Sequence, residues 1–152
     1  MIQATQHASV RWDGTLGSGS GELSLGEGAA SAMPVSWASR TSRAHGKTSP
    51  EELLAAAHAS CYAMAFAHTL EDRGTPPQQL SVAADCTFQQ TDDGFKVSRV
   101  ALTAEGKVPG ITDEQFADAA RAAEAFCPIS NALRGNVEIT LTPRLLQGVA
   151  QS

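Results

Sequence analysis

Aromatic side chains make up only 5% of this 152-residue chain, with one Tyr, two Trp and five Phe, so its core must be built mainly from aliphatic and small residues. Cations are also scarce. Eleven Lys and Arg stand against 16 Asp and Glu, a net charge of −5. That balance argues against a nucleic-acid partner, because affinity for a phosphate backbone comes from clustered Lys and Arg. The first thirty residues hold charged and Gly-rich segments but no apolar h-region, so no secretory signal is expected. Three cysteines, an odd number without an export signal, fit a reducing compartment, and the cytoplasm is the expected location. No internal repeat and no second domain are evident, so residues 1–152 are read as one domain.

What the chain does have is one strongly punctuated helix. Ser49 with Glu52 three residues on forms a capping-box pattern, Pro50 falls on the first helical position, and Gly74, Pro76 and Pro77 supply the stop. The pattern predicts a helix over Pro50 to Arg73, about 36 Å long. From Leu53 to Leu70 it carries no formal charge, which predicts burial on nearly every side. That run also meets the length threshold of a membrane span, but eight of its residues are small (Ala55, Ala56, Ala57, Ala59, Ser60, Ala63, Ala65, Ala67), and His58 and His68 add to the cost in lipid. A central core helix that lets other backbones approach closely is the better reading, and no membrane is expected.

Before this helix, Ala8, Val10 and Trp12 share one parity in the strand-like stretch His7 to Asp13, Glu22 to Leu25 forms its partner, and Gly14 to Gly21 a loose hairpin loop. A third short strand is expected over Pro34 to Ala38. The segment from Arg40 to Lys47 is the only dense basic patch, and for Arg43 and Lys47 a solvated loop is the preferred reading. After the helix, Leu80, Val82, Ala84, Cys86 and Phe88 alternate with polar or small residues. That makes Cys86 a small core hydrophobe on the buried face of a strand. Thr91 to Gly94 is a hairpin turn and Phe95 to Gly106 the returning strand. Val108 to Ile111 is a loop, Thr112 caps a helix over Asp113 to Phe126, Cys127-Pro128 interrupts it, Ile129 to Arg134 makes one further turn, and Val137, Ile139 and Leu141 mark a last strand. Strands, helix, strand pair, helix and strand in that order define an α+β fold with antiparallel sheets rather than an alternating parallel one.

Two thiols remain. Cys61 lies mid-helix with His58 one turn before it and Met64 one turn after, where packing alone explains it. Cys127 precedes Pro128 and so caps a short helix whose N-terminal partial charge favours thiolate; a simple cap or buried filler is the competing reading. A zinc site from His58, Cys61 and either His68 or Cys127 is disfavoured, since the tight C-x-x-C pairing typical of such sites is absent. A Cys–His hydrolase using His58 as base is a further alternative, although hydrolase partners usually converge from different elements rather than one rigid helix. A non-enzymatic binding or stress module with core cysteines is the competing class.

The stretch T-S-P-E-E-L-L-A-A-A-H-A-S-C-Y-A-M-A from Thr48 to Ala65, and C-P-I-S-N-A-L from Cys127 to Leu133, resemble the two signature segments of the OsmC/Ohr family, the osmotically inducible and organic hydroperoxide resistance proteins. The likeness extends over nearly the whole chain, and A-A-H-A-x-C, W-D-G at Trp12 and V-P-G-I at Val108 resemble the OsmC branch. The resemblance implies an intertwined α+β homodimer of thiol peroxidases built on a long central helix. It makes Cys61 the peroxidatic cysteine, Cys127 the resolving cysteine and Glu51 their acidic partner. Arg40, in W-A-S-R, matches the family arginine, with Arg43 as the alternative because the loop before Pro50 is one residue longer.

Those roles are chemically coherent. A thiolate attacks the peroxide, and a free thiol with a pKa near 8.5 needs a cation close by to ionise at neutral pH. A guanidinium held by Glu51 supplies that charge and stabilises the leaving alkoxide. Attack by Cys127 on the resulting sulfenate would close a Cys61–Cys127 disulfide, with Cys86 staying reduced. Glu51 and Cys61 are ten positions apart, about 15 Å on a straight helix, so either the helix bends or two antiparallel copies bring Glu51 of one chain to Cys61 of the other. Leu54, Met64, Phe66 and Phe126 or Ile129 are the expected apolar lining, favouring organic hydroperoxides over hydrogen peroxide. The resemblance further implies a dihydrolipoyl dithiol as reductant; no cofactor or metal is expected.

Overall fold

The computed structural model describes residues 1, 3–26, 30–42 and 46–146. They form two compact units, Met1–Leu53 and Leu54–Ser152. In the first, β1 (Ala8–Asp13), β2 (Ser20–Leu25) and β3 (Ala30–Val35) make an antiparallel meander in which Val10 faces Leu23 and Trp12 faces Gly21. The expected hairpin is present, but the expected buried face is not. All six residues of β1 are exposed, because a sheet of only three strands is too small to bury a face by itself.

The third strand ends at Val35, short of the expected Ala38. Ser36 and Ser39 close a reciprocal capping box there, each hydroxyl accepting from the other's backbone N–H at 3.1 and 3.0 Å, and start α1 (Trp37–Thr41). Arg40 therefore sits in the last turn of a helix rather than in a loop. Thr48 pairs back on β3 through its N–H to the Pro34 carbonyl, 2.9 Å.

The long helix α2 runs Pro50–Asp72, one residue short of the sequence reading. Ser49 Oγ accepts from Glu52 N–H at 3.1 Å, while the Glu52 carboxylate turns to the Thr48 hydroxyl at 2.7 Å and leaves the box half closed. At the other end Gly74 takes φ +79°, in the left-handed region, and Thr75 N–H reaches the Leu70 carbonyl, a glycine-terminated stop.

The second unit holds the rest of α2 and a sheet ordered β4 (Gln79–Thr91), β5 (Gly94–Lys107), β6 (Glu138–Leu145). The first pair is the expected hairpin. The second corrects the purely antiparallel expectation: β6 lies parallel to β5, with Val100 opposite Ile139 and Leu102 opposite Leu141. Parallel neighbours need a long crossover, and α3 (Asp113–Phe126) with α4 (Pro128–Leu133) provides it. Thr112 caps α3 through a full box with Gln115. Cys86 is half-buried on the face of β4 that packs on the core, as its alternation with exposed neighbours predicts.

Here too α2 departs from expectation. Its buried residues in this unit are His58, Tyr62, Ala65, Phe66 and Leu70, a single stripe at helical spacing, whereas Ala56, Ala57, Ser60, Met64 and His68 on the other side are exposed. The absence of charge signalled low polarity all round, not burial all round. The stripe meets Val100, Leu102 and Ala104 of β5 and Phe116, Ala119, Ala120 and Ala123 of α3 in the core. Rings run through it from Tyr62 to Phe66 to Phe116 at 5.6 and 5.0 Å. Gly106 makes room for the last: a Cβ there would stand 2.7 Å from Phe116 Cε1.

Candidate active site

The second unit brings two thiols together. Cys61 rides on α2, and Cys127 sits at the elbow where α3 ends and α4 begins. The elbow exists because Pro128 has no N–H to continue α3 and is well placed to start a new helix. Cys127 N–H donates to Ala123 and Glu124 carbonyls at 2.9 and 3.3 Å, and its own carbonyl accepts from Asn131 N–H at 3.0 Å. With backbone fixed on both sides, the fully buried Cys127 thiol points at Cys61 Sγ, 3.3 Å away. The two residues are 66 positions apart in the chain.

The electrostatics of the elbow fall on the other cysteine from the one the sequence suggests. Cys127 makes no side-chain cap of α4; instead the N–H of Ile129, in the first turn of that helix, donates to Cys61 sulfur. Burial pushes the Cys61 thiol above its ordinary pKa, the Ile129 N–H opposes that rise, and the adjacent Cys127 adds to it. The second unit by itself therefore holds Cys61 as a thiol at neutral pH.

Around the pair lie residues whose part was not read from the sequence. His58, one turn before Cys61, is fully buried and its Nε2 is 2.7 Å from Ser130 Oγ on α4. Desolvation lowers the His58 pKa, against a smaller upward pull from Glu124. Tyr62 donates its hydroxyl to the Ala120 carbonyl at 2.9 Å, and burial raises its pKa strongly. The available signal was the spacing itself, His58 three before Cys61 and Ser130 three after Cys127.

His58 directs Nε2 at Ser130 rather than at Cys61, so it is not placed as a hydrolase base, and His68 stacks on Phe126 at 5.6 Å. Phe66 is fully buried in the core and cannot line an approach to Cys61, which corrects that part of the expected lining. Met64 and Phe126 are 68% and 59% exposed, leaving them available as an outer rim. A groove of about 660 Å³ lies elsewhere, between Arg73, Thr75, Ile111 and Asp118, and neither cysteine lines it.

In the first unit Arg40 Nε reaches Glu51 Oε1 at 2.7 Å and Oε2 at 3.2 Å. Both carboxylate oxygens accept from that nitrogen, and Glu51 is buried while Arg40 is partly open. Arg43 and His45, from the same basic patch, lie outside the described residues.

Two helix-borne thiols in contact beneath an α+β sheet, with an Arg–Glu pair carried by the same chain, define a class. The family model for OsmC-like proteins matches residues 43–142, and the chain belongs to that family. Among its relatives, the Escherichia coli (strain K12) protein Peroxiredoxin OsmC is 36% identical over 136 residues, covering 90% of this chain and 93% of that one. An organic hydroperoxide resistance protein of Xanthomonas axonopodis pv. citri is 32% identical over 96 residues, 62% of this chain and 66% of that one. In structure, an organic hydroperoxide resistance protein from Elizabethkingia anophelis superposes with a TM-score of 0.75 at 25% identity over 95% of this chain and all of that one. OhrB of Bacillus subtilis shares the fold, at TM-score 0.71, 24% identity, 91% of this chain and 98% of that one.

Proposed function

We propose that this chain is a cytoplasmic, cysteine-based thiol peroxidase that reduces organic hydroperoxides through Cys61 and Cys127. The observation that carries the reading is the 3.3 Å contact between the two sulfurs, one partly open and the other fully buried. The relatives' names, peroxiredoxin and organic hydroperoxide resistance protein, support the same class of substrate. Cys61 thiolate attacks the outer peroxide oxygen, the O–O bond breaks, and the alcohol leaves with a proton. Cys127 sulfur then attacks the Cys61 sulfenic acid, the S–O bond breaks, and water leaves as the disulfide forms. A dithiol of the dihydrolipoyl type restores both thiols by exchange.

Because burial holds Cys61 protonated, a cation has to reach it. We assign that role to Arg40, oriented by Glu51, in a homodimer where these two residues of one protomer complete the site of the other. The short Arg40–Glu51 contact supports Arg40 in that role. The open side of α2, with Met64 68% exposed, and the β1 strand, exposed along its whole length, support a partner copy. Titration tests the reading. One equivalent of an alkyl hydroperoxide should consume two thiols in wild type and leave Cys61→Ser untouched; no thiol loss would sink the proposal.

A further inference from the structure

The thiol pair is held by a buried side-chain link that the peroxidase chemistry does not itself use. His58 and Ser130 are both fully buried, and Nε2 to Oγ at 2.7 Å joins α2 to α4 one turn from each cysteine. The link is polar and desolvated, with His58 Nδ1 buried and given no hydrogen-bond partner among the described residues. Such a group is costly to keep unless its position matters. What it positions is visible in the backbone. Ser130 lies three residues after Cys127 in a helix of only six, too short to hold its place without tertiary contacts. The same helix presents Ile129 N–H to Cys61 sulfur and begins at Cys127. Tyr62 to Ala120 makes a second buried link, but that one ties α2 to the body of α3, not to α4.

We propose that the His58–Ser130 hydrogen bond is the latch that holds Cys127 in line for attack on Cys61, making His58 and Ser130 positioning residues of the resolving step. Without it, among the described residues, α4 is tied to α2 by packing and by the single Ile129 N–H on Cys61 sulfur, and Cys127 loses its fixed approach. Misplacing a reacting atom by about 1 Å slows such an intramolecular step by ten- to a hundredfold. The sulfenate would then survive long enough to meet a second peroxide and go on to sulfinate.

This inference rests on the peroxidase reading for its biological meaning, but a reaction without peroxide tests it separately. In a Cys86→Ala background, the aryl disulfide 5,5′-dithiobis(2-nitrobenzoate) reacts with Cys61, releasing one nitrothiobenzoate. Cys127 then attacks the mixed disulfide, the bond between Cys61 sulfur and the aryl sulfur breaks, and a second nitrothiobenzoate leaves. In Ser130→Ala the first release should change by less than about threefold, while the second slows by about tenfold or more. His58→Gln, whose amide can replace Nε2 toward Ser130, should recover most of the second rate. Circular dichroism of each variant establishes that it is folded. An unchanged second release in Ser130→Ala, an equal fall in both releases, or no recovery in His58→Gln would each overturn the latch. If wild type shows both releases but loses no thiol to hydroperoxide, the peroxidase reading fails and the latch stands.

Discussion

Closing the Cys61–Cys127 bond should make the fold markedly more stable, by an amount that the chain itself sets. The loop between them spans 66 positions, and the chain-entropy model gives about 4 kcal/mol for removing that freedom from the unfolded state. Native strain subtracts from this. It should be small, because the sulfurs already lie 3.3 Å apart and need to approach by only about 1.2 Å to reach bonding distance. At roughly 2–4 °C per kcal/mol for a chain of this size, the melting temperature should rise by roughly 8–16 °C. The same free energy appears in the redox couple. At 30 mV per 1.4 kcal/mol, the folded pair should be about 90 mV more reducing than the same cysteines in the unfolded chain. Urea unfolding of reduced and oxidised Cys86→Ala protein measures the first quantity, and equilibration with a dithiol buffer, with and without urea, measures the second. Extrapolated free energies must be compared rather than midpoints, since a cross-linked unfolded state exposes less surface and lowers the m-value. A gain below about 1 kcal/mol, or two measurements that disagree by more than that, would refute the argument that the elbow is already shaped for the bond.

His58 should make stability depend on pH. Its folded pKa lies below the ordinary value of 6.5, so the unfolded chain binds the proton more readily, and stability is full above about pH 6.5 and is lost as pH falls below it through the folded pKa. The limit is about 1.4 kcal/mol per pH unit, and urea titrations should show this slope reduced in His58→Gln. Arg40→Ala should move the pH midpoint of Cys61 alkylation by iodoacetamide upward, to where burial, the Ile129 N–H and Cys127 together put it; an unmoved midpoint counts against Arg40 as the cation. Gly106→Ala should destabilise by about 1–3 kcal/mol, because its Cβ would strike Phe116 and Leu80, and Phe116→Leu in the same chain should recover part of that in a double-mutant cycle.

Much of this architecture is legible in the amino-acid sequence. Thr112 with Gln115, Ser49 with Glu52 and Gly74 fix helix ends through local hydrogen bonds, and local rules read local bonds well. The period-2 pattern of Leu80, Val82, Ala84 and Cys86 likewise announced both a strand and its packed face. The failures share another cause. That β6 runs parallel to β5 depends on where the α3–α4 crossover delivers the chain, and nothing in Val137, Ile139 and Leu141 encodes direction. Ser36 and Ser39 start α1 by a pair of weak caps in a segment whose composition reads as strand or loop.

The site divides the same way. Cys61 and Cys127 were recognisable from their motifs, but sequence placed the helix N-terminus effect on Cys127, the residue that precedes it, whereas the donated amide belongs to Ile129 and points across to α2. A capping position is one-dimensional; the direction of an N–H is not. That difference alters the chemistry. Among the described residues, the hydrogen bond that favours a thiolate on Cys61 comes from the helix that carries its resolving partner, so activation and resolution share one six-residue element. Anything that shifts α4 must then weaken both the nucleophile and the attack that follows, though unequally. An N–H···S contact tolerates small displacements as one of several influences on charge, while sulfur-to-sulfur displacement requires alignment. On that account the buried His58–Ser130 pair belongs next to the elbow and nowhere else on α2: it restrains the one short helix on which both steps depend.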